Sequence, residues 1–94
     1  MLTGKNKSKL RSMAQTRKAI VMIGKDGITD YLFESLWNAL EAHELIKVKL
    51  LDTCPDDVNT VALEISVQAK AEVIQTIGRT IVLYKKSEKG IYKL

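Results

Sequence analysis

A single cysteine, Cys54, and a single histidine, His43, leave little material for metal or redox chemistry. One cysteine can close no internal disulfide and build no cysteine-based zinc cage. No ligand set occurs at the spacings that zinc, calcium or a redox metal requires, so no cofactor and no metal are expected. Proline occurs once and glycine five times, and with 46% apolar residues this argues against wholesale disorder. No apolar run approaches the roughly 20 residues of a membrane helix, which excludes a membrane partner of that kind. Met1-Leu2-Thr3-Gly4-Lys5 has no apolar signal-peptide core behind its charges, and the expectation is a cytoplasmic protein. At 94 residues the chain reads as one domain, 1–94. Folding at this size hides roughly 60–65% of the unfolded surface.

Positive charge is what the chain has in excess, with a formal net charge of +4. It is unevenly placed. Lys5, Lys7, Lys9, Arg11, Arg17, Lys18 and Lys25 all precede the first acidic residue, Asp26. A weaker basic set, Lys85, Lys86, Lys89 and Lys93, lies in a segment 85–94 that reads as a frayed basic tail. A basic block beside a balanced body suits a polyanion, because neutralised phosphates release condensed counterions. A charge run is as readily a solvated face, so geometry has to decide.

Thr3 is a plausible N-cap for a helix from Gly4 to about Lys18. Leu10, Met13 and Ala14 share one face of it, with Lys7, Arg11 and Lys18 on one flank and Lys5 and Lys9 on the other. Ala19-Ile20-Val21-Met22-Ile23 is a continuous apolar run, as expected of a strand covered on both faces. Thr29 caps a second helix to about His43, burying Ile28, Leu32, Phe33, Leu36, Ala39 and Leu40, with Trp37 at the margin. Leu45 to Leu51 alternates as a strand, with Lys47 and Lys49 opposite Ile46, Val48 and Leu50. The next stretch is ambiguous. Val58, Val61, Ala62, Ile65 and Ala69 form a helical stripe, whereas Val61, Leu63, Ile65 and Val67 alternate like a strand. Pro55, Asp56 and Asp57 suit a helix start and favour the first reading. Val73–Ile77 and Thr80–Tyr84 flank Gly78-Arg79 as a hairpin. The expected order is α-β-α-β-α-β-β, with parallel pairing permitted early and antiparallel pairing at the end.

The loop Gly24-Lys25-Asp26-Gly27 carries the most chemistry. Two glycines allow close backbone approach, the following helix N-terminus offers amide N–H groups and positive dipole, and Lys25 adds a cation. Those are the needs of a backbone phosphate, although a plain strand-to-helix turn needs no ligand. The longer glycine spacing of a nucleotide P-loop is missing. Arg79 at the hairpin could converge with Lys25 and the first-helix cations on one surface. His43 suits the carbonyl end of its helix, and Cys54 has no histidine near it in sequence, so neither points to catalysis. Tyr31, Phe33 and Trp37 read as core or margin, and only Tyr84 offers itself as a base-stacking residue.

Four blocks in register carry a resemblance. They are Leu2-Thr3-Gly4-Lys5, Val21 through Thr29, His43 through Lys49, and Val73 through Tyr84. Together they resemble the CRM (chloroplast RNA splicing and ribosome maturation) family, in particular its stand-alone bacterial, YhbY-like members. The resemblance implies an α/β fold of the two-layer α+β kind, with a four-stranded mixed sheet and helices packed on it, similar to the C-terminal domain of translation initiation factor three. It also implies that the ambiguous third stretch is a helix. The family is thought to bind RNA through the glycine loop and adjacent basic surface, and its bacterial members associate with precursors of the large ribosomal subunit. Carried over by position, the contacts are Gly24, Lys25, Asp26 and Gly27, with Lys5, Lys7, Lys9, Arg11, Lys18 and Arg79 around them. Asp26 departs from the family's usual neutral or polar residue and sets an anion beside the phosphate. KH domains also use a G-x-x-G clamp, but between two helices, whereas a strand precedes this one. The implied function is non-catalytic binding of large-subunit ribosomal RNA or its precursor, with no small-molecule substrate. The alternative is a module docking on a ribosomal protein or assembly factor.

Overall fold

The computed structural model describes residues 2–92. Lys93 of the closing basic set lies outside them. Helix α1 spans Gly4–Ala14, opened by Thr3, whose hydroxyl accepts from Asn6 N–H at 3.1 Å. The predicted helix to about Lys18 is therefore too long. One more turn would bring Arg17 round onto the packed Leu10–Ala14 stripe, where unpaired charge is costly to bury. The chain turns instead, with Arg17 N–H on the Ala14 carbonyl at 3.0 Å, and Arg17 and Lys18 stay exposed.

Then follow β1 (Val21–Ile23), α2 (Asp30–His43), β2 (Leu45–Leu50), α3 (Val58–Ala69), β3 (Glu72–Ile77) and β4 (Thr80–Tyr84). The strands form one mixed sheet in the order β1-β2-β4-β3, with β1 parallel to β2 and the other two pairs antiparallel. Element order and sheet type match the α+β expectation. The ambiguous third stretch is a helix. Asp57 caps it by accepting from the N–H groups of Asn59 and Thr60 at 3.0 and 3.3 Å. Leu63 and Val67, half of the misleading alternation, are 67% and 66% exposed.

Alternation along β2 and β4 divides the core between the two faces of the sheet. Ile46, Val48, Leu50, Ile81 and Leu83 point towards α2 and α3 and close the larger cluster with Leu36, Leu40, Val61 and Ile65. Each such side chain contributes about 1.5–3 kcal/mol by leaving water. Cys54, in the loop between β2 and α3, is buried in this cluster. Leu45, Val82 and Tyr84 point the other way, where Leu10 and Ala14 of α1 cover them together with Ile74 and Tyr92. So α1 adds a partial third layer where two were expected, because the alternating side chains of β2 and β4 leave an apolar patch on the second face that α1 covers.

That cover is incomplete, which corrects the reading of β1 as a doubly covered strand. An 11-residue helix is about 16 Å long, and α1 lies across β2 and β3. β1 is an edge strand that tucks Val21 and Ile23 under α2 but leaves Met22, like the preceding Ile20, 51% exposed.

The tail is not frayed over residues 85–92. Glu44, with φ 63 at the exit of α2, has no solvent exposure, and its carboxylate holds the segment down. It accepts from the Ser87 hydroxyl at 2.6 Å, from Ser87 N–H at 2.9 Å and from Tyr92 N–H at 3.3 Å. Lys85 Nζ donates to the Ala69 carbonyl in the last turn of α3 at 3.1 Å.

Candidate nucleic-acid interface

The glycine loop is a closed turn. Gly27 N–H donates to the Gly24 carbonyl at 3.0 Å, so that amide is spent within the loop. Gly27 sits at φ +64, and a Cβ built there would lie 2.9 Å from an Asp56 carboxylate oxygen. The turn itself needs this glycine. Gly24 differs, because a Cβ there would meet only Leu51 Cδ1 and Thr53 Oγ1, each at 3.7 Å, an ordinary contact. Packing leaves room for a side chain at Gly24.

Lys25 and Asp26 stand exposed at the tip. The α2 N-terminus behind them is already partly satisfied. Thr29 Oγ1 accepts from Leu32 N–H at 3.1 Å, and Asp30 occupies the first turn, where its charge offsets the positive end of the dipole. With Asp26, Asp30 and Asp56 around one lysine, the loop alone is a weak anion site. Attraction for phosphate has to come from neighbouring cations.

Arg79 supplies one. Its Nη2 donates to the carbonyls of Leu51 and Cys54, both at 3.1 Å, and Leu51 N–H in turn donates to the carbonyl of Ile23, the residue before Gly24, at 2.9 Å. The hairpin arginine thus staples the β2–α3 loop while standing next to the glycine turn, a double role its place in the sequence does not reveal. The structure brings Arg79 and the loop together at one end of the sheet.

It does not bring Lys5, Lys7 and Lys9 there. Lys7 Nζ lies 3.9 Å from Glu72, and Leu2 N–H reaches the same carboxylate at 3.5 Å. Glu72 pairs with Tyr84, and Tyr84 with Leu45, at the end of the sheet away from the loop. Lys5, Lys7 and Lys9 therefore form a separate basic area; the physical reason is that Leu10 and Ala14 dock α1 over Leu45 and Tyr84. Arg11 occupies the last turn of α1. Lys18 and Arg17, in the link to β1, share a hollow with Lys47 and His43.

Two residues that alternation marked only as polar complete the picture. Lys47 and Lys49 lie on the α1 face of β2, Lys47 half-buried beside Val82 of the α1 cluster and Lys49 exposed. Two strand residues advance about 7 Å, so they carry positive charge from the Arg17–Lys18 hollow towards the loop. The lane runs Arg17, Lys18, Lys47, Lys49, with Arg79 and Lys25 at its head. Of the aromatic residues, Tyr84 is buried against Tyr92 and is no stacking surface. Tyr31, read as core or margin, is 79% exposed and lines the groove between β1 and α2 that also holds the loop.

A small α+β domain with a strand–glycine turn–helix element beside a half-open, lysine-bearing sheet defines the class. The chain belongs to the CRS1/YhbY (CRM) domain family, whose model matches residues 2–85. It is 46% identical over 90 residues to the Bacillus subtilis (strain 168) protein named "Probable RNA-binding protein YqeI", covering 96% of this chain and 94% of that one. A Haemophilus influenzae protein named "RNA-binding protein" is 36% identical over 93 residues, with 99% and 94% covered. The solution structure of the hypothetical protein SAV1595 from Staphylococcus aureus is similar with a TM-score of 0.80 at 41% identity, covering 94% of this chain and 92% of that one.

Proposed function

We propose that this chain is a non-catalytic RNA-binding protein of the cytoplasm, and that its RNA is large-subunit ribosomal RNA or its precursor during assembly. The observation that carries the RNA reading is the basic lane that ends at Lys49, Arg79 and Lys25 around the glycine turn. The names of the Bacillus and Haemophilus relatives support it. The ribosomal part rests on the resemblance to stand-alone bacterial members of the family. In this reading Lys25, Lys47, Lys49, Lys18 and Arg79 meet phosphates, and Gly24 lets the RNA backbone approach. Asp26 at the tip steers the strand towards Lys25. Lys5, Lys7, Lys9 and Arg11 extend the footprint only for an RNA large enough to reach α1.

About five neutralised phosphates give a log–log salt dependence of affinity with slope about −3.5 on single-stranded RNA. Lys25→Glu weakens every RNA to a similar degree, measured by filter binding at several salt concentrations. A flat salt response sinks the electrostatic mechanism. Gly24→Ala separates a contact from a mere turn. The space around Gly24 accepts the methyl group, so the variant keeps its melting temperature and loses affinity. Crosslinking in cells with sequencing of the recovered RNA tests the target, which is wrong if no large-subunit or precursor sequence is enriched.

A second reading, docking on a protein, draws on Leu63 and Val67, which expose an apolar pair one turn apart on α3. It requires that association with ribosomal particles survive nuclease treatment.

A further inference from the structure

Where α1 stops, a row of side chains crosses all four strands on the uncovered face. Met22 of β1 pairs in register with Lys49 of β2, Lys49 with Thr80 of β4, and Thr80 with Ile77 of β3. Cross-strand partners project to the same side of the sheet. Three inter-strand spacings make the row about 14 Å wide. Met22 and Ile77, at its two ends, are 51% and 54% exposed, and Lys49 is exposed between them. The row lies directly below the glycine turn and the Gly78-Arg79 hairpin.

We propose that this row is a platform for unpaired nucleotides, with base faces resting on Met22 and Ile77 and the intervening phosphates on Lys49. The inference rests on the RNA reading and names the kind of RNA. Its argument is the mixture of side chains. A paired A-form helix keeps its base faces stacked inside and offers protein only phosphates, 2′-hydroxyls and groove edges. Half-exposed aliphatic side chains set among cations give such a surface nothing. A splayed strand presents flat apolar faces and anionic links side by side, which matches an apolar–cation–hydroxyl–apolar row. The methionine sulfur adds a favourable contact to an aromatic ring. Positive charge around the row, from Lys49, Lys47, Arg79 and Lys25, complements the backbone of a strand lying across it.

The test compares an unstructured oligoribonucleotide of about ten nucleotides with a fully paired duplex of the same length, at one salt concentration. Wild type is expected to bind the single strand more tightly. The double variant Met22→Ser/Ile77→Ser is expected to lose about tenfold on the single strand and less than about twofold on the duplex. Both positions are half exposed, so the variant should melt as the wild type does, and Lys49→Gln, which leaves the apolar ends intact, should weaken both RNAs. If the double variant binds both RNAs as wild type does, or loses equally on both, the platform is wrong while the RNA reading stands. If wild type binds neither RNA, the RNA reading falls and takes the platform with it.

Discussion

Glu44 holds its carboxylate beneath a single layer of chain, the segment 85–92 that the same carboxylate ties down. Burial, the largest single influence, pushes its pKa up. The hydrogen bonds from the Ser87 hydroxyl and N–H, with those from the Ile91 and Tyr92 main chain, together outweigh burial and hold it at about 2 instead of 4.5. A folded-state pKa below the unfolded one means that the carboxylate stabilises the fold fully above pH 4.5 and that this is lost as pH falls towards 2. Glu44→Ala leaves the Ser87 hydroxyl and the Ser87, Ile91 and Tyr92 N–H groups without their acceptor and should cost about 2 kcal/mol at neutral pH. Thermal melts of wild type and variant should then draw together between pH 4.5 and pH 2. A gap that stays constant with pH would mean that packing, not the carboxylate, holds the tail. None of this is visible in sequence. Glu44 reads there as one polar residue after a helix, and its partners lie in a different segment that carries no periodic signal.

At the scale of elements, α3 shows what sequence patterns can and cannot settle. Val61 and Ile65 belong to both the helical stripe and the strand-like alternation, so they discriminate nothing; both are fully buried. Asp57 does discriminate, because a capping carboxylate has a use only at a helix start. The same logic explains why α2, with one stripe and a threonine cap, was legible in its bounds and buried face, Tyr31 excepted. Leu63→Glu with Val67→Lys should leave stability within about 0.5 kcal/mol of wild type, since both positions face solvent. Ile65→Ala should cost about 2–4 kcal/mol in urea unfolding. The reverse ranking would place the strand-like face inside. In the candidate site the loop and Arg79 were legible because glycines and hairpin signals are local. Lys47 and Lys49 were not, because amphipathicity shows that β2 has a second face and cannot show where α1 stops covering it.

On the whole molecule, cations gather at opposite ends of one sheet. The loop end has Lys25, Lys49 and Arg79; the far end has Lys5, Lys7 and Lys9 on α1 and Lys85, Lys86 and Lys89 in the tail. The far end is also where the fold is tied together. Tyr92 packs edge-on against Tyr84 at 6.2 Å, Arg17 lies 5.6 Å over the Tyr92 ring, and Lys85 reaches the end of α3. The family match closes at residue 85, yet the segment beyond it bridges α1, α2 and β4. Ending the chain after Tyr84 should therefore lower the melting temperature. In that shortened chain Glu44→Ala should add little further loss, because the donors it served are gone and the two changes are coupled. RNA affinity separates stability from binding. Measured at a temperature where both forms are folded, it should stay within about threefold of wild type for a short single strand, because the loop-end phosphate contacts are untouched. A loss as large as that of Lys25→Glu would move the RNA footprint to the far end, onto α1 and the tail, and leave the glycine turn as a structural corner.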